Sequence, residues 1–173
     1  MILKTKHLII REFSINDVKE LSVLLGNKEV MHFSLSGPLT FEQTRDCLQK
    51  KILEHYADFG FGLWALIDNA TKKLIGCAGL MVQSVDGEDF VELGYRLDPK
   101  YWGKGLASEA VAAISQYAFN SLELNQLISI IDPSNIRSLG VVTRLGMHHW
   151  KNTVFHNIPV QIYMLNKQHF QEK

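Results

Sequence analysis

Leu97-Asp98-Pro99-Lys100-Tyr101-Trp102-Gly103-Lys104-Gly105-Leu106-Ala107-Ser108-Glu109-Ala110 is the stretch that decides the fold of this 173-residue chain. The run before it, Val91-Glu92-Leu93-Gly94-Tyr95-Arg96-Leu97, reads as an apolar strand. The run after it reads as a helix, with Ala107, Ala110, Val111, Ile114, Tyr117 and Ala118 on one stripe. Two glycines, separated by Lys104, lie at the helix mouth. The first N–H groups of a helix lack intrahelical partners, and the helix dipole favours negative charge there. A strand, a glycine turn and a helix start thus make an anion site. A tight strand-to-helix turn also uses glycine for steric reasons alone, and the glycines by themselves do not separate the two readings. The spacing excludes two nucleotide motifs. There is no G-x-x-x-x-G-K-[ST], and Ser108 stands where G-x-G-x-x-G needs its third glycine.

Upstream, residues 62–67 and 74–82 are short apolar runs joined by Asp68-Asn69-Ala70-Thr71-Lys72-Lys73, a hairpin signal. Residues 84–89 form a second polar turn into the central strand, so the middle of the chain is an antiparallel meander. Gly94 within that strand suggests a bulge that splays the sheet and opens a cleft. Leu8-Ile9-Ile10, with Arg11 and Phe13, reads as a first strand. Ser14 or Asn16 caps a helix over residues 17–25, which carries Val18, Leu21, Leu24 and Leu25 at helical spacing and ends at Gly26. Thr40-Phe41-Glu42-Gln43 is a capping box that opens a helix to about Ala57, broken by Phe59-Gly60-Phe61-Gly62. Downstream, residues 127–131 form a buried strand stopped by Asp132-Pro133. Ser134 or Asn135 caps a short helix to about Leu145, which Gly146 closes. Residues 147–155 and 160–165 make a last hairpin around Asn157-Ile158-Pro159, before a polar tail. The order β-α-α-β-β-β-α-β-α-β-β predicts an α/β (α+β) fold, a mixed and mostly antiparallel sheet with helices on both faces.

Residues 98–110 resemble the acetyl-CoA loop of the GNAT N-acetyltransferases, in particular the branch that acetylates N-terminal amines of ribosomal proteins. The family pattern [QR]-x-x-G-x-[GA] reads here Trp102-Gly103-Lys104-Gly105-Leu106-Ala107, and Trp-Gly in that place is typical of the branch. A second likeness is Asn135-Ile136-Arg137-Ser138 followed by Leu145-Gly146-Met147, with Met147 where Phe is usual. A third is Thr5-Lys6-His7-Leu8-Ile9-Ile10-Arg11, with His7 where Arg is common. The resemblance runs in order over nearly the whole chain. It implies a splayed central strand pair, one acetyltransferase domain over residues 1–173, and acetyl-CoA as co-substrate. It also implies that the helical segment after Thr40 walls the acceptor site.

Acetyl transfer from a thioester to an amine needs a held cofactor, a neutral amine, a stabilised oxyanion and a proton for the leaving thiolate. On the resemblance, the pyrophosphate lies on the backbone of Gly103, Lys104, Gly105, Leu106, Ala107 and Ser108, behind Trp102. Lys104 adds charge there or is a solvated surface lysine. The amide-rich pantetheine arm pairs with an exposed strand edge, for which Tyr95, Leu97 and Gly94 are candidates. Asn135 bonds the pantetheine and Ser138 sits near the sulfur. Read without the family, they are a helix cap and a small surface residue. Val142 stands where many members carry an acid tyrosine, which leaves Ser138 or solvent to protonate a thiolate of pKa near 8.5. Glu92 is the first candidate base, or else an edge glutamate pairing with Arg96 along one strand face. Asp132 is the next carboxylate. His148 and His149 point to opposite faces of a strand and read as packing or surface residues.

A lysine amine has pKa about 10.4 and an α-amine about 7.7–8.0, so a chain without an obvious strong base suits an α-amine acceptor. The acceptor is a peptide or small-molecule amine: a protein N-terminus, polyamine, amino acid or antibiotic. The alternative from another class is an acyl-CoA-binding sensor without turnover. Eighteen basic and eighteen acidic residues cancel, which argues against nucleic acid as partner. Cys47 and Cys77 read as reduced core or near-core residues, and no His/Cys/Asp grouping has metal-ligand spacing. No run approaches membrane-spanning length, so the expectation is a cytoplasmic monomer or homodimer without a membrane partner.

Overall fold

The computed structural model describes residues 1–171. Strands β1 (Leu3–Lys4) and β2 (Leu8–Arg11) open the chain, followed by a 3-10 turn at Ile15–Asp17 and helix α1 (Val18–Leu25). Helices α2 (Phe41–Cys47) and α3 (Glu54–Phe59) are joined by a π-helical segment, Leu48–Leu53. Then come β3 (Leu63–Asp68), β4 (Leu74–Val85), β5 (Glu88–Leu97), a 3-10 turn at Pro99–Tyr101 and α4 (Leu106–Asn120). The chain ends with β6 (Gln126–Ile131), α5 (Ile136–Leu145), β7 (His148–Phe155), β8 (Ile158–Asn166) and α6 (Lys167–Gln171). Of the expected polar tail, Glu172 and Lys173 lie outside the described residues.

The strands form one sheet in the order β1-β2-β3-β4-β5-β6-β8-β7. Every neighbouring pair is antiparallel except β5 and β6, which are parallel. The sheet is therefore mixed and mostly antiparallel, as the element order predicts. Side-chain alternation sorts its strands onto two faces, and a third cluster of Val85, Phe90, Ile128, Val160, Ile162 and Met164 joins the β4–β5 hairpin to β6 and β8. Leu8 and Ile10 of β2, Trp64 and Leu66 of β3, Leu80 of β4 and Leu93 of β5 meet Ala110, Val111 and Ile114 of α4 and Val142 of α5 on one face. Ala65, Ile67 and Cys77 meet Leu21, Leu24 and Leu25 of α1 and Leu48 and Ile52 on the other.

Several expectations are corrected. The helix opened by Thr40 runs to Phe59 rather than Ala57 and contains the π turn, which keeps Leu48, Ile52 and His55 all directed at the sheet. Residues 84–89 are not a six-residue loop. Asp86 and Gly87 alone turn, both with positive φ (52° and 85°), and Val85 pairs with Glu88. In the last hairpin the turn is His156-Asn157, also at positive φ, so Ile158 and Pro159 belong to β8. Gly94 makes no bulge: the β4–β5 register is continuous from Gly76↔Leu97 to Val85↔Glu88. The splay is real but arises on the other side of β5, where the ladder with β6 registers at the single pair Glu92↔Ile128.

Candidate active site

Beyond Glu92↔Ile128 the parallel strands part, and a cleft opens beside residues 93–97. Backbone direction follows residue parity along β5. Asp98 N–H bonds Ile75 O of β4 at 2.8 Å, so even-numbered backbone groups face β4. Leu93 O accepts from Ser129 Oγ at 2.9 Å and Leu97 O from the Trp102 indole N–H at 2.8 Å, so odd-numbered groups face the cleft. Tyr95 lies between them, and its N–H and C=O take the same direction. Of the three strand-edge candidates, Tyr95 presents an open edge and Leu97 has its carbonyl already bonded. Gly94 turns its backbone to Gly79 of β4.

The glycine turn sits at the open end of this cleft. Gly103 and Gly105 have φ of 73° and 76°, and a Cβ at either would meet no heavy atom within 4 Å. Left-handed backbone explains why glycine stands at both positions. Gly105 is also the N-cap of α4, and no side chain caps that helix, whereas Thr40 caps α2 and Asn135 caps α5. The N–H groups of Leu106, Ala107 and Ser108 are thus the orphan donors of a helix mouth next to open space. Trp102 braces the turn, its indole bonded to the strand end and its ring under the Arg137 guanidinium at 4.3 Å. Lys104 is exposed, with Nζ 5.2 Å from the Tyr101 ring centre, as a solvated lysine would be. Leu106 turns its side chain into the core. Ser108 Oγ accepts from Arg144 Nε at 3.3 Å. Glu109, one position on, takes Thr5 Oγ1 at 2.5 Å and the His7 N–H and Nδ1 at 2.8 and 2.7 Å. Two stretches about a hundred residues apart in sequence are joined by that carboxylate.

Across the cleft, Asn135 Oδ1 accepts from Ser138 N–H at 3.2 Å, so Asn135 is a helix cap whose amide NH₂ makes no hydrogen bond among the described residues. Tyr95 OH donates to Ser138 O at 3.2 Å and spans from β5 to α5; burial pushes the phenol up to about 12. Val142 is fully buried and offers no acid.

Glu92 stands at the point where the strands part. Burial pushes its carboxyl above the ordinary carboxylate range, against the pull of a 2.8 Å hydrogen bond from Gln83 Nε2 and the charge of Arg96. Gln83 is its diagonal neighbour across the Asp86-Gly87 hairpin, and no ion pair with Arg96 forms. Asp132 has the opposite environment. Ser134 donates to its Oδ1 through Oγ (2.6 Å) and N–H (2.8 Å), which holds it below the carboxylate range and weakens it as a base. His148 and His149 are exposed on β7, remote from these groups, and His149 bonds Asn152 at 2.9 Å.

A model of the acetyltransferase (GNAT) domain matches residues 7–148. The chain belongs to the GNAT acetyltransferase family. It is an N-acetyltransferase, and acetyl-CoA is its co-substrate. The N-acetyltransferase YnaD of Bacillus subtilis (strain 168), itself uncharacterised, is 31% identical over 147 residues, covering 85% of this chain and 82% of that protein. A GNAT-family acetyltransferase from Bacillus anthracis superposes with a TM-score of 0.80 at 26% identity, over 96% and 98% of the two chains. The aminoglycoside acetyltransferase AAC(6')-Ib, solved with coenzyme A, shares the fold at 18% identity, with a TM-score of 0.81 over 96% and 98%.

In this GNAT enzyme the residues fit the co-substrate: an uncapped helix mouth with two open glycines for the pyrophosphate, and an open strand edge for the amide arm. Beside them lies a hollow of about 270 Å³ lined by Lys28, Glu29, His32, Phe33, Trp102 and Arg137, between the α1–α2 connection and the glycine turn. The residues missed from sequence are Gln83, the spanning hydroxyl of Tyr95 and the Trp102–Arg137 stack. Only Gln83 had a signal: an Asp-Gly turn at 86–87 places residue 83 opposite residue 90 and diagonal to residue 92. Among the described residues no group of three or more His, Cys, Asp and Glu side chains is placed to hold a metal, and no helix is long and apolar enough to cross a membrane.

Proposed function

We propose that residues 1–173 form one domain that acetylates a primary α-amine by direct attack in a ternary complex, with Glu92 as the general base. The observation that carries this is Glu92's position: a carboxyl raised by burial, at the one residue where the central strands separate. Acetyl-CoA supplies the acetyl group as a thioester whose thiol leaves readily. The backbone N–H groups of residues 103–108 hold the pyrophosphate, with Trp102 fixing the turn. Tyr95 and the Leu97 N–H pair with the pantetheine amides, and the Asn135 amide donates from the far wall. Glu92 takes the proton from the amine, and its raised pKa brings it nearer an α-amine at about 7.7–8.0 than an ordinary carboxylate would be. Ser138, in the first turn of α5 beside the Tyr95 hydroxyl, gives a proton to the departing sulfur. An α-amine acceptor agrees with the branch that acetylates protein N-termini and equally with small α-amines. Solved relatives in the same fold include an aminoglycoside acetyltransferase and a spermidine N-acetyltransferase, so the fold itself does not select among acceptors.

The test is Glu92→Gln. With saturating acetyl-CoA and an amine acceptor, thiol release should fall about 10²-fold or more, the ordinary worth of a positioned base. The wild-type rate should rise with pH through the Glu92 titration, and the variant should lack that limb. A variant with unchanged rate and profile removes Glu92 from the mechanism.

A further inference from the structure

The face of β5 turned toward α1–α3 carries Glu92, Gly94 and Arg96, opposite Met81, Gly79 and Cys77 of β4. Glu92 and Arg96 are roughly 13 Å apart along the strand, at about 3.3 Å per residue, and their long side chains shorten that span. Arg96 is half-buried, and among the described residues it forms no ion pair. Its charge reaches Cys77 across the ladder and Cys47 at the end of α2, so it sits under the helical wall rather than out in solvent. Glu92 feels its charge but makes no ion pair with it, and takes a hydrogen bond from Gln83 instead. A part-buried cation held in no ion pair gains from a carboxylate that meets it directly.

Between the two charges the surface is hollow. No heavy atom lies within 4 Å of where a Cβ on Gly94 would stand, whereas a Cβ on its partner Gly79 would sit 2.1 Å from the Gly62 carbonyl oxygen. Gly79 is glycine because backbone crowds it. Gly94 is not held to glycine by its backbone, since its φ is outside the left-handed region. What glycine provides at 94 is room.

We propose that the acceptor is a small aminocarboxylate, its amine at Glu92 and its carboxylate on the Arg96 guanidinium, bridging the hollow over Gly94. This rests on the reading of Glu92 as the base. A guanidinium matches a carboxylate with two parallel hydrogen bonds, which gives orientation as well as attraction. A polyamine or aminoglycoside would instead bring further positive charge toward Arg96 and toward Lys51, which acts on the same Cys47. A protein N-terminus continues as a neutral amide where this site has a cation.

The test uses matched acceptors: α-, β- and γ-amino acids, each with its amide, followed by thiol release from acetyl-CoA. The amide carries the less basic amine, so free-amine supply favours the amide, and a preference for the acid must come from the carboxylate. The expected result is at least about tenfold higher kcat/KM for one or more acids than for their amides, the size of a charge-assisted hydrogen bond. Arg96→Gln should raise the acid's KM by a similar factor and bring acid and amide within about twofold of each other. Arg96→Lys should recover part of the preference, and Gly94→Leu should raise acceptor KM while acetyl-CoA KM stays put. Equal use of acids and amides by the wild type overturns the proposal. So does an Arg96→Gln effect confined to acetyl-CoA KM, which would assign the cation to the cofactor. Thiol release with none of the pairs, while calorimetry still shows acetyl-CoA binding, overturns the aminocarboxylate but not the acetyl-CoA site; loss of both overturns the reading on which it rests.

Discussion

At the scale of single residues, Glu92 and Asp17 are carboxylates shifted in opposite directions. Glu92 is raised, so its protonated form is favoured in the fold. Its contribution to stability is present below the unfolded carboxyl's pKa and is lost as pH rises through the folded one. Glu92→Gln keeps the hydrogen-bonding shape without a charge to bury. The variant should therefore unfold at higher urea than wild type at pH 8, with the difference shrinking toward pH 4. A variant less stable than wild type at both pH values would contradict the burial argument. Asp17 is lowered, first by two hydrogen bonds from the Arg11 guanidinium at 2.7 and 2.8 Å, against burial. Its contribution is present above the ordinary value of 3.8 and is lost as pH falls through the folded one. Asp17→Asn should lower the urea midpoint at pH 7 and reduce the steepness of the acid decline below about pH 4. Parallel wild-type and variant curves across that range would show that the pair contributes nothing linked to protons.

At the scale of elements, local chemistry was readable wherever a backbone group needs a particular side chain. Thr40 with Gln43 opens α2, Asn135 opens α5, and Gly146 closes α5 at φ 91°. The α4 mouth was readable for the converse reason, two glycines and no capping side chain. Gly105→Val puts a β-branched residue at φ 76°, a local strain of about 1–3 kcal/mol. A domain stable by roughly 5–15 kcal/mol survives that. The orphan N–H groups would lose their alignment, so acetyl-CoA binding should weaken about tenfold to a hundredfold by calorimetry while far-UV circular dichroism is unchanged. Equal affinity would remove the turn from the site. What sequence periodicity misread was spacing without a strong local marker. A π turn looks like ordinary helix, since its extra residue per turn is absorbed by which side chains face inward. Gly94 looked like a bulge because a strand glycine has several physical causes, and only the Cβ environment of Gly79 and Gly94 distinguishes close approach from empty space.

At the scale of the whole molecule, the sheet order could be reached from sequence only through the family likeness, because parallel pairing of β5 with β6 depends on α4 crossing between them. The joining of residues 5–7 to Glu109, and of Tyr95 to Ser138, likewise depends on tertiary placement that no local pattern encodes. Together these long-range ties position three segments around one cleft: the end of β5, the mouth of α4 and the first turn of α5. In the proposed reading the acceptor side is built separately, from α1–α3 and the face of β5 that carries Glu92, Gly94 and Arg96. Acceptor choice can therefore diverge within one family while the cofactor loop keeps its spacing.

Since β6, β8 and β7 meet the other five strands at one backbone rung and are otherwise held to them by side chains, we expect local opening of this three-stranded flap about the Glu92–Ile128 pair in the empty enzyme. Acetyl-CoA, lying along the open edge, would act as a missing strand and lock the flap. Amide hydrogens on the cleft side of residues 93–97 and 129–131 should exchange with deuterium rapidly without ligand and slow markedly when it binds, while those of the β3–β4 ladder hardly change. The protein would then be a stiffer body during turnover than between cycles, and its heat resistance should track the supply of acetyl-CoA.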